Sequence, residues 1–229
     1  MASRQSYRCP DAIFTIKSIQ HLSSRLNKEI YILFVDLTAA YDWCVRKCLF
    51  QTIYNRIDPS DKPTQTCIRI IEELYKKTLS CMKGETNFFE TTSGVRQGGP
   101  ESPNLFNLYL DYIMRIYNDS AKKLDLGISF TYRIRDQAGE RADKHRYRVI
   151  GYYPWLGYAD DLAITAETDV KLQKAADLLN NLFYKFGLTI SIDKTKSIIL
   201  NHQSENYPET IITIDNKNIS NVKDLDKIL

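Results

Sequence analysis

The sequence predicts a single α+β domain in which helices pack on a largely antiparallel sheet. In some segments apolar residues recur at three- and four-residue spacing, which is typical of amphipathic helices. In others they form short runs or alternate with polar residues, which is typical of strands. No long linker, repeat or low-complexity tract divides the 229 residues, a length that one domain can fill. We expect the helices to cover one side of the sheet.

In the first half of the chain, apolar spacing after Pro10 predicts a helix over residues 11–26. The apolar run over residues 31–37 predicts a buried strand that ends beside a carboxylate. A further helix is predicted over residues 67–75. Residues 79–91 contain two half-apolar runs around a Lys-Gly-Glu turn, which predicts a hairpin.

The Gly- and Pro-rich residues 93–103 predict a loop that leads into a helix. One apolar stripe is predicted for this helix, formed by Leu105, Leu108, Tyr112, Ile113 and Ile116. Residues 131–135 and 146–153 alternate arginine with Tyr, Ile and Val, which predicts a second hairpin.

A third hairpin is predicted around Asp160 and Asp161, followed by a helix that stops at Gly187. The face of this helix is predicted to consist of Val170, Ala175, Leu178, Leu179, Leu182 and Phe186. Residues 188–193 and 195–200 alternate as strands do. The last hairpin is predicted to turn at Asn216 and Lys217.

Composition excludes several classes of protein. Hydrophobic residues make up 43% of the chain and charged residues 26%, which argues against collagen, coiled coil and wholesale disorder. The formal net charge of +3 is too small to indicate a polyanionic partner by itself. No apolar run is long enough for a membrane span or a signal peptide, so we expect an intracellular protein. The five cysteines contain no CxxC pair and are expected to be reduced thiols rather than zinc ligands.

Three carboxylates would meet at one end of the sheet if the strand before Asp36 and the hairpin at Asp160 and Asp161 were neighbours. Crowded carboxylates repel one another, and a hard divalent cation such as Mg²⁺ compensates that repulsion. Two such ions support in-line phosphoryl transfer. The alternative is that each acid is an ordinary turn residue. The apolar residues before Asp36 and before Asp160 favour the metal site, since a solvated turn needs neither.

Four segments occur in the order of one known family. They are Asp36-Leu-Thr-Ala-Ala-Tyr-Asp42, Gly94-Val-Arg-Gln-Gly-Gly-Pro-Glu-Ser-Pro-Asn-Leu-Phe-Asn107, Tyr158-Ala-Asp-Asp161, and Gly187-Leu to Lys194-Thr195. Over residues 11–214 the chain resembles the reverse transcriptase domain, most closely that of non-LTR (LINE-like) retrotransposons. The resemblance implies the palm of a right-hand polymerase, an antiparallel sheet backed by helices, with partial fingers. Residues 1–229 are expected to form a single such domain, without the N-terminal fingers and the thumb.

The resemblance implies that Asp36, Asp160 and Asp161 hold two Mg²⁺ ions, with help from the backbone carbonyl of Leu37. Mn²⁺ is expected to be able to substitute. The primer 3′-hydroxyl would then attack the incoming dNTP.

By the same resemblance, Tyr41 would exclude a ribose 2′-hydroxyl, and Arg96, Gln97 and Gly98 would line the nucleotide and template side. Lys194 would neutralise or protonate the leaving pyrophosphate. Without the resemblance, Tyr41 is more often a packing aromatic, the Arg96–Gly98 segment an ordinary loop, and Lys194 a solvated side chain.

The first functional hypothesis is an RNA-directed DNA polymerase whose partners are an RNA template, a DNA primer and dNTPs. The second is a catalytically silent retrotransposon remnant that at most binds nucleic acid or a protein partner. An RNA-dependent RNA polymerase is disfavoured by Tyr41. The arginines of the second hairpin are equally compatible with nucleic-acid contact and with a solvated face; they are Arg133, Arg135, Arg146 and Arg148. The resemblance alone suggests a nuclear location.

Overall fold

The α+β class is confirmed by a computed structural model of the chain. The residues that the structure describes are 9–81, 84, 86–133, 147–158, 161–204, 206–209 and 211–228. The helices are α1 (Cys9–Leu26), α2 (Ala40–Trp43), α3 (Arg46–Tyr54), α4 (Lys62–Tyr75), α5 (Ser102–Lys123) and α6 (Asp169–Lys185), with a short 3₁₀ helix at Leu225–Lys227. The strands are β1 (Ile30–Val35), β2 (Thr78–Cys81), β3 (Phe88–Thr91), β4 (Ile128–Arg133), β5 (Tyr147–Tyr153), β6 (Trp155–Tyr158), β7 (Asp161–Ala166), β8 (Lys196–Leu200), β9 (Ile212–Ile214) and β10 (Lys217–Asn221).

Within these described residues, the main sheet has six strands in the order β6-β7-β1-β8-β10-β9. Its neighbours pair antiparallel except β10 and β8, which pair parallel. The hairpins β2–β3 and β4–β5 stand apart from this sheet. The predicted hairpins and the predicted neighbourhood of β1 and β7 are therefore confirmed.

Both faces of the main sheet are covered, because alternate side chains of β1 enter two different cores. Leu33 and Val35 pack with α3, α5 and α6. Ile30 and Ile32 pack instead with α1 and β4. The expectation that the helices cover only one side is therefore wrong for α1.

The predicted apolar stripes on the two long helices are partly wrong. On α5, Leu108 is 37% exposed, while Phe106, Tyr109 and Tyr117 are fully buried. The stripe is displaced because these aromatic rings, which are large apolar surfaces, fill the space between α5 and the sheet. On α6, Val170 is 60% exposed.

Two local predictions near the C terminus also need correction. The last hairpin turns at Asp215 and Asn216, both with positive φ (50° and 61°) as a two-residue type I′ turn requires. In residues 188–193 only Ile190 makes a strand-like contact, an isolated antiparallel bridge to Leu37. The predicted stop at Gly187 is confirmed by its φ of +72°. The described helices include none that is both long and apolar enough to cross a bilayer.

Candidate functional site

The end of β1 and the start of β7 bring two predicted carboxylates to the same place. Val35 pairs with Leu162 in antiparallel register, so continuing the register by one residue sets Asp36 opposite Asp161. Strand side chains alternate between faces. Asp36 therefore belongs to the face that α1 covers, and so does Asp161. Asp36, Asp161 and Lys194 all line one cleft of about 240 Å³.

The segment after α6 holds Asp36 through its backbone. The Ser191 N–H donates to the Asp36 carbonyl (2.8 Å), and the Asp36 N–H donates to Thr195 Oγ1 (3.2 Å). The Thr195 N–H donates in turn to the Ser191 carbonyl (2.9 Å). This turn carries Lys194 over the cleft, where its Nζ lies 3.6 Å from Asp36 Oδ2.

Asp36 Oδ2 is buried and accepts no hydrogen bond within the described part of the chain, since the Lys194 ion pair is too long for one. A buried carboxylate oxygen without a donor costs free energy unless a cation compensates it. An oxygen of this kind beside a second carboxylate fits a hard divalent cation, which takes oxygen ligands.

The third predicted carboxylate, Asp160, lies outside the described residues. Among the residues that are described, no three His, Cys, Asp or Glu side chains are grouped so that they could hold a metal ion. Leu37 follows Asp36 directly and is buried. The metal-binding roles of Asp36, Asp160, Asp161 and Leu37 stay predictions.

Tyr41 lies on the short helix α2, at the edge of the core. Its half-buried ring stacks on Phe106 of α5, with ring centroids 4.7 Å apart and planes 23° apart. Tyr41 therefore makes the packing contact that is the alternative interpretation of this residue. The sugar-excluding role of Tyr41 stays a prediction, which this contact does not oppose because part of the ring is accessible.

The loop that carries Arg96, Gln97 and Gly98 is fastened to α2 and the residue after it. The Gly94 N–H donates to the Cys44 carbonyl and the Val95 N–H to the Tyr41 carbonyl, each at 2.8 Å. Gly94 has a φ of +78°, and a Cβ there would lie 2.7 Å from the Asp42 carbonyl oxygen, so only glycine fits.

Beyond this anchor, Gln97 donates its amide N–H to Asp42 Oδ1 (2.8 Å). Asp42 belongs to the first of the four motifs, and no role was predicted for it. Its position immediately after Tyr41 is the signal that could have marked it. Gly98 has a φ of +83° and, like Arg96 and Gln97, is exposed. The roles predicted for these three residues, and for Lys194, stay predictions.

Nucleic-acid contact by the arginines of the second hairpin stays a prediction. The pairing of β4 with β5 is confirmed, with Tyr132 opposite Arg148. Arg135 and Arg146 lie outside the described residues, and of Arg133 and Arg148 only the backbone is described.

A sheet end with two facing carboxylates, a lysine and a docked glycine-rich loop is the arrangement expected of a palm-type polymerase domain. The sequence matches the family described as reverse transcriptase (RNA-dependent DNA polymerase) over residues 3–208. The chain belongs to this family.

Two relatives come from R2 retrotransposable elements, which confirms the predicted likeness to non-LTR elements. The Pol polyprotein of the type-1 element R2 of Bradysia coprophila is 24% identical over 180 residues, which is 78% of this chain and 18% of that protein. The Pol polyprotein of the type-2 element R2DM of Drosophila melanogaster is 23% identical over 189 residues, 81% of this chain and 15% of that protein. The chain thus spans less than a fifth of these relatives' length.

Solved structures of telomerase share the fold. Apo telomerase of Candida tropicalis, truncated from its C-terminal domain, has a TM-score of 0.57 at 16% identity, over 88% of this chain and 37% of that chain. Telomerase of Candida albicans in complex with a telomeric RNA fragment also has a TM-score of 0.57, at 12% identity, over 93% of this chain and 33% of that chain. These likenesses confirm the fold that the resemblance implied.

Proposed function

We propose that the chain is an RNA-directed DNA polymerase domain that transfers a nucleotide from a dNTP to a primer 3′-hydroxyl on an RNA template. The observation that carries this proposal is the juxtaposition of Asp36, Asp161 and Lys194 in one cleft of a reverse transcriptase-family fold. Residues 1–229 would form one such domain, made of the palm and part of the fingers.

Asp36, Asp160, Asp161 and the Leu37 carbonyl would hold two Mg²⁺ ions, or Mn²⁺ in their place. Bound there, such ions lower the pKa of the attacking hydroxyl and stabilise the leaving oxygen. The buried Oδ2 of Asp36 supports this ligand set, because it accepts no hydrogen bond from the described residues and its ion pair with the exposed Lys194 is long (3.6 Å). These three carboxylates and the carbonyl would thereby orient the primer terminus against the triphosphate.

Lys194 would protonate or neutralise the leaving pyrophosphate. Its side chain is 73% exposed, so it is free to turn from Asp36 toward a triphosphate. An ammonium in that position stabilises the negative charge that develops on the leaving group.

Tyr41 would set the preference for dNTPs, because its ring is held on Phe106 and cannot retreat from a 2′-hydroxyl. Arg96, Gln97 and Gly98 would contact the nascent pair and the template. The docking of their loop on α2 supports this, since it ties them to the helix that carries Tyr41.

Primer extension tests the proposal. The purified chain is given an RNA template with an annealed DNA primer, dNTPs and Mg²⁺, beside Asp36→Asn and Asp161→Asn variants. We expect each variant to lose extension by roughly 10²-fold or more, because each removes a charge that would hold the metal. The matched control is Asp177→Asn, at an exposed position on α6 away from the cleft, which should extend normally.

Extension that survives both Asp36→Asn and Asp161→Asn would contradict the proposed mechanism. Absence of extension by the unaltered chain would favour the second hypothesis, a catalytically silent remnant. In that case binding of the primer–template duplex would distinguish a nucleic-acid-binding remnant from one that binds only protein.

A further inference from the structure

One arginine that was not predicted as a site residue forms hydrogen bonds to several separate segments next to the predicted site. Arg46, at the start of α3, donates from Nε to the Gly94 carbonyl (2.8 Å). Its Nη1, which shares two N–H groups among three acceptors, lies within hydrogen-bond distance of the Tyr75 carbonyl (3.0 Å), the Thr78 hydroxyl (2.6 Å) and the Thr91 carbonyl (2.6 Å). A single guanidinium thus connects the loop, the end of α4 and both strands of the β2–β3 hairpin.

Tyr75 connects the same guanidinium to Arg96. The guanidinium carbons of Arg46 and Arg96 each lie 5.3 Å from the centroid of the buried Tyr75 ring, within the range of a cation–π contact. The Tyr75 hydroxyl accepts a hydrogen bond from the Arg96 backbone N–H (3.3 Å) and lies 3.2 Å from Glu101 Oε1. The Arg96 guanidinium also donates to the Leu74 carbonyl.

Val95 anchors the start of this loop in the main core, but the residues after it have little apolar contact. Arg96, Gln97 and Gly98 are exposed, and Val95 is the buried hydrophobic residue beside them. The hairpin across from the loop is itself exposed, with Leu79 at 63% and Phe88 at 66%. Directed polar contacts therefore determine where the loop lies relative to the hairpin.

We propose that Arg46 and Tyr75 are positioning residues, which hold Arg96 and Gln97 in place for the nucleotide and template side of the site. This inference rests on the proposed function. Arg46, Arg96 and Gln97 line one cleft of about 840 Å³ between the hairpin and the loop. The carbonyls of Thr91 and Gly94, which accept hydrogen bonds from Arg46, line the same cleft.

Arginine is required for this role because its planar guanidinium presents several donors in fixed directions. A lysine keeps the charge but places it at one point on a flexible stem, so it cannot serve the Gly94 carbonyl and the hairpin together. The substitution Arg46→Lys therefore separates the geometry of the contact from its charge.

The test compares Arg46→Lys with Arg56→Lys. Arg56 follows α3 and pairs with Asp111 of α5 (2.8 Å), away from the loop, so it is a matched loss of a guanidinium. The first readout is native-state hydrogen exchange at the Gly94, Val95 and Arg96 amides, which are bonded to Cys44, Tyr41 and Tyr75. The second readout is the dNTP dependence of primer extension.

We expect Arg46→Lys to accelerate exchange at these three amides by about tenfold or more, and Arg56→Lys to leave it unchanged. The KM for dNTP should rise by about tenfold with a change in kcat below about threefold, because the loop positions substrate rather than the reacting groups. Tyr75→Phe keeps the ring and removes only the hydroxyl, so it should accelerate exchange mainly at Arg96.

Unchanged exchange in Arg46→Lys would overturn the inference, as would faster exchange with unchanged KM and kcat. If Arg46→Lys fails to fold, the Arg96 amide in Tyr75→Phe decides the question by the same criterion. If the unaltered chain does not extend a primer, the proposed function fails, and the exchange data still show whether these residues hold the loop.

Discussion

Asp36 and Asp161 stand at the end of a sheet that is packed on both faces, whereas Arg96 and Gln97 stand on a loop beside an exposed hairpin. Around the two carboxylates, β1 and β7 are paired through five residues each and are buried among apolar side chains. Around the loop, the hydrogen bonds of Arg46, Tyr75 and a few backbone groups provide the support.

The difference indicates how each half of the site responds to change. Apolar packing distributes the position of a strand over many small contacts, so that removing one side chain lowers stability but leaves the register in place. A segment that is held by a few directed hydrogen bonds depends on each of them. Removing one donor therefore displaces the segment with little loss of global stability. We therefore expect the positions of Asp36 and Asp161 to change little when a neighbouring side chain is substituted. The position of the loop should change more readily.

The same substitution in the two regions gives the largest expected effect. Leu33 is fully buried in β1, and Leu79 is 63% exposed on β2. We expect Leu33→Ala to lower the free energy of unfolding by about 2–5 kcal/mol, because it leaves a cavity in a packed core. Leu79→Ala should change it by less than about 0.5 kcal/mol. Urea denaturation followed by circular dichroism measures both values.

If Leu33→Ala and Leu79→Ala lowered the free energy of unfolding equally, the contrast between the packed sheet and the exposed hairpin would be wrong. The hairpin would then belong to the same cooperative core as the main sheet. A loss in Leu79→Ala alone would reverse it.

The second-largest expected effect is a difference in thiol reactivity between the packed core and the exposed hairpin. Burial, followed by the neighbouring Cys48, raises the pKa of Cys44 to about 12, and Cys81 is exposed on the hairpin. The thiolate is the reactive form, so a maleimide at pH 8 should modify Cys81 at least about 100-fold faster than Cys44. Peptide mass spectrometry of a time course measures the ratio, and denaturant should abolish it. Comparable native rates would mean that the core around Cys44 opens readily.

The smallest expected effect concerns the opposite end of the main sheet, where polar contacts again dominate. Burial raises the pKa of Glu29, but hydrogen bonds from the Gln203 backbone (3.1 Å), Tyr31 (2.9 Å) and His202 (3.0 Å) outweigh burial and lower the pKa below its usual 4.5. The folded chain therefore favours the ionised carboxylate. The resulting stability is present above pH 4.5 and is lost as the pH falls through the lower pKa of the folded state.

We expect Glu29→Gln to cost about 1 kcal/mol or less at pH 7, in keeping with partly exposed charge contacts. Thermal unfolding of the variant and the unaltered chain should converge as the pH is lowered below 4.5. If the difference in thermal stability between Glu29→Gln and the unaltered chain stays constant as the pH is lowered, the charge of Glu29 does not account for the stability of this end of the sheet.

Much of the secondary structure was predictable because it depends on neighbouring residues. The apolar spacing after Pro10 predicted α1, and the apolar run before Asp36 predicted β1. The predictions were wrong where a contact with a distant part of the chain decided which of several locally possible conformations a segment adopts. Residues 188–193 alternate as a strand does, yet only Ile190 bridges to Leu37, because the chain turns there to carry Lys194 over Asp36.

The order of four motifs along the chain determined its family, and the spacing of apolar residues determined its α+β class. Both can be recognised in the sequence without knowing which distant residues meet in the fold. Tertiary structure decided the partners of single polar groups, such as Gln97 with Asp42 and Arg46 with Thr91. A hydrogen bond forms only where packing has already brought donor and acceptor within about 3 Å. That distance is fixed by the burial of remote apolar surfaces, which no local pattern encodes.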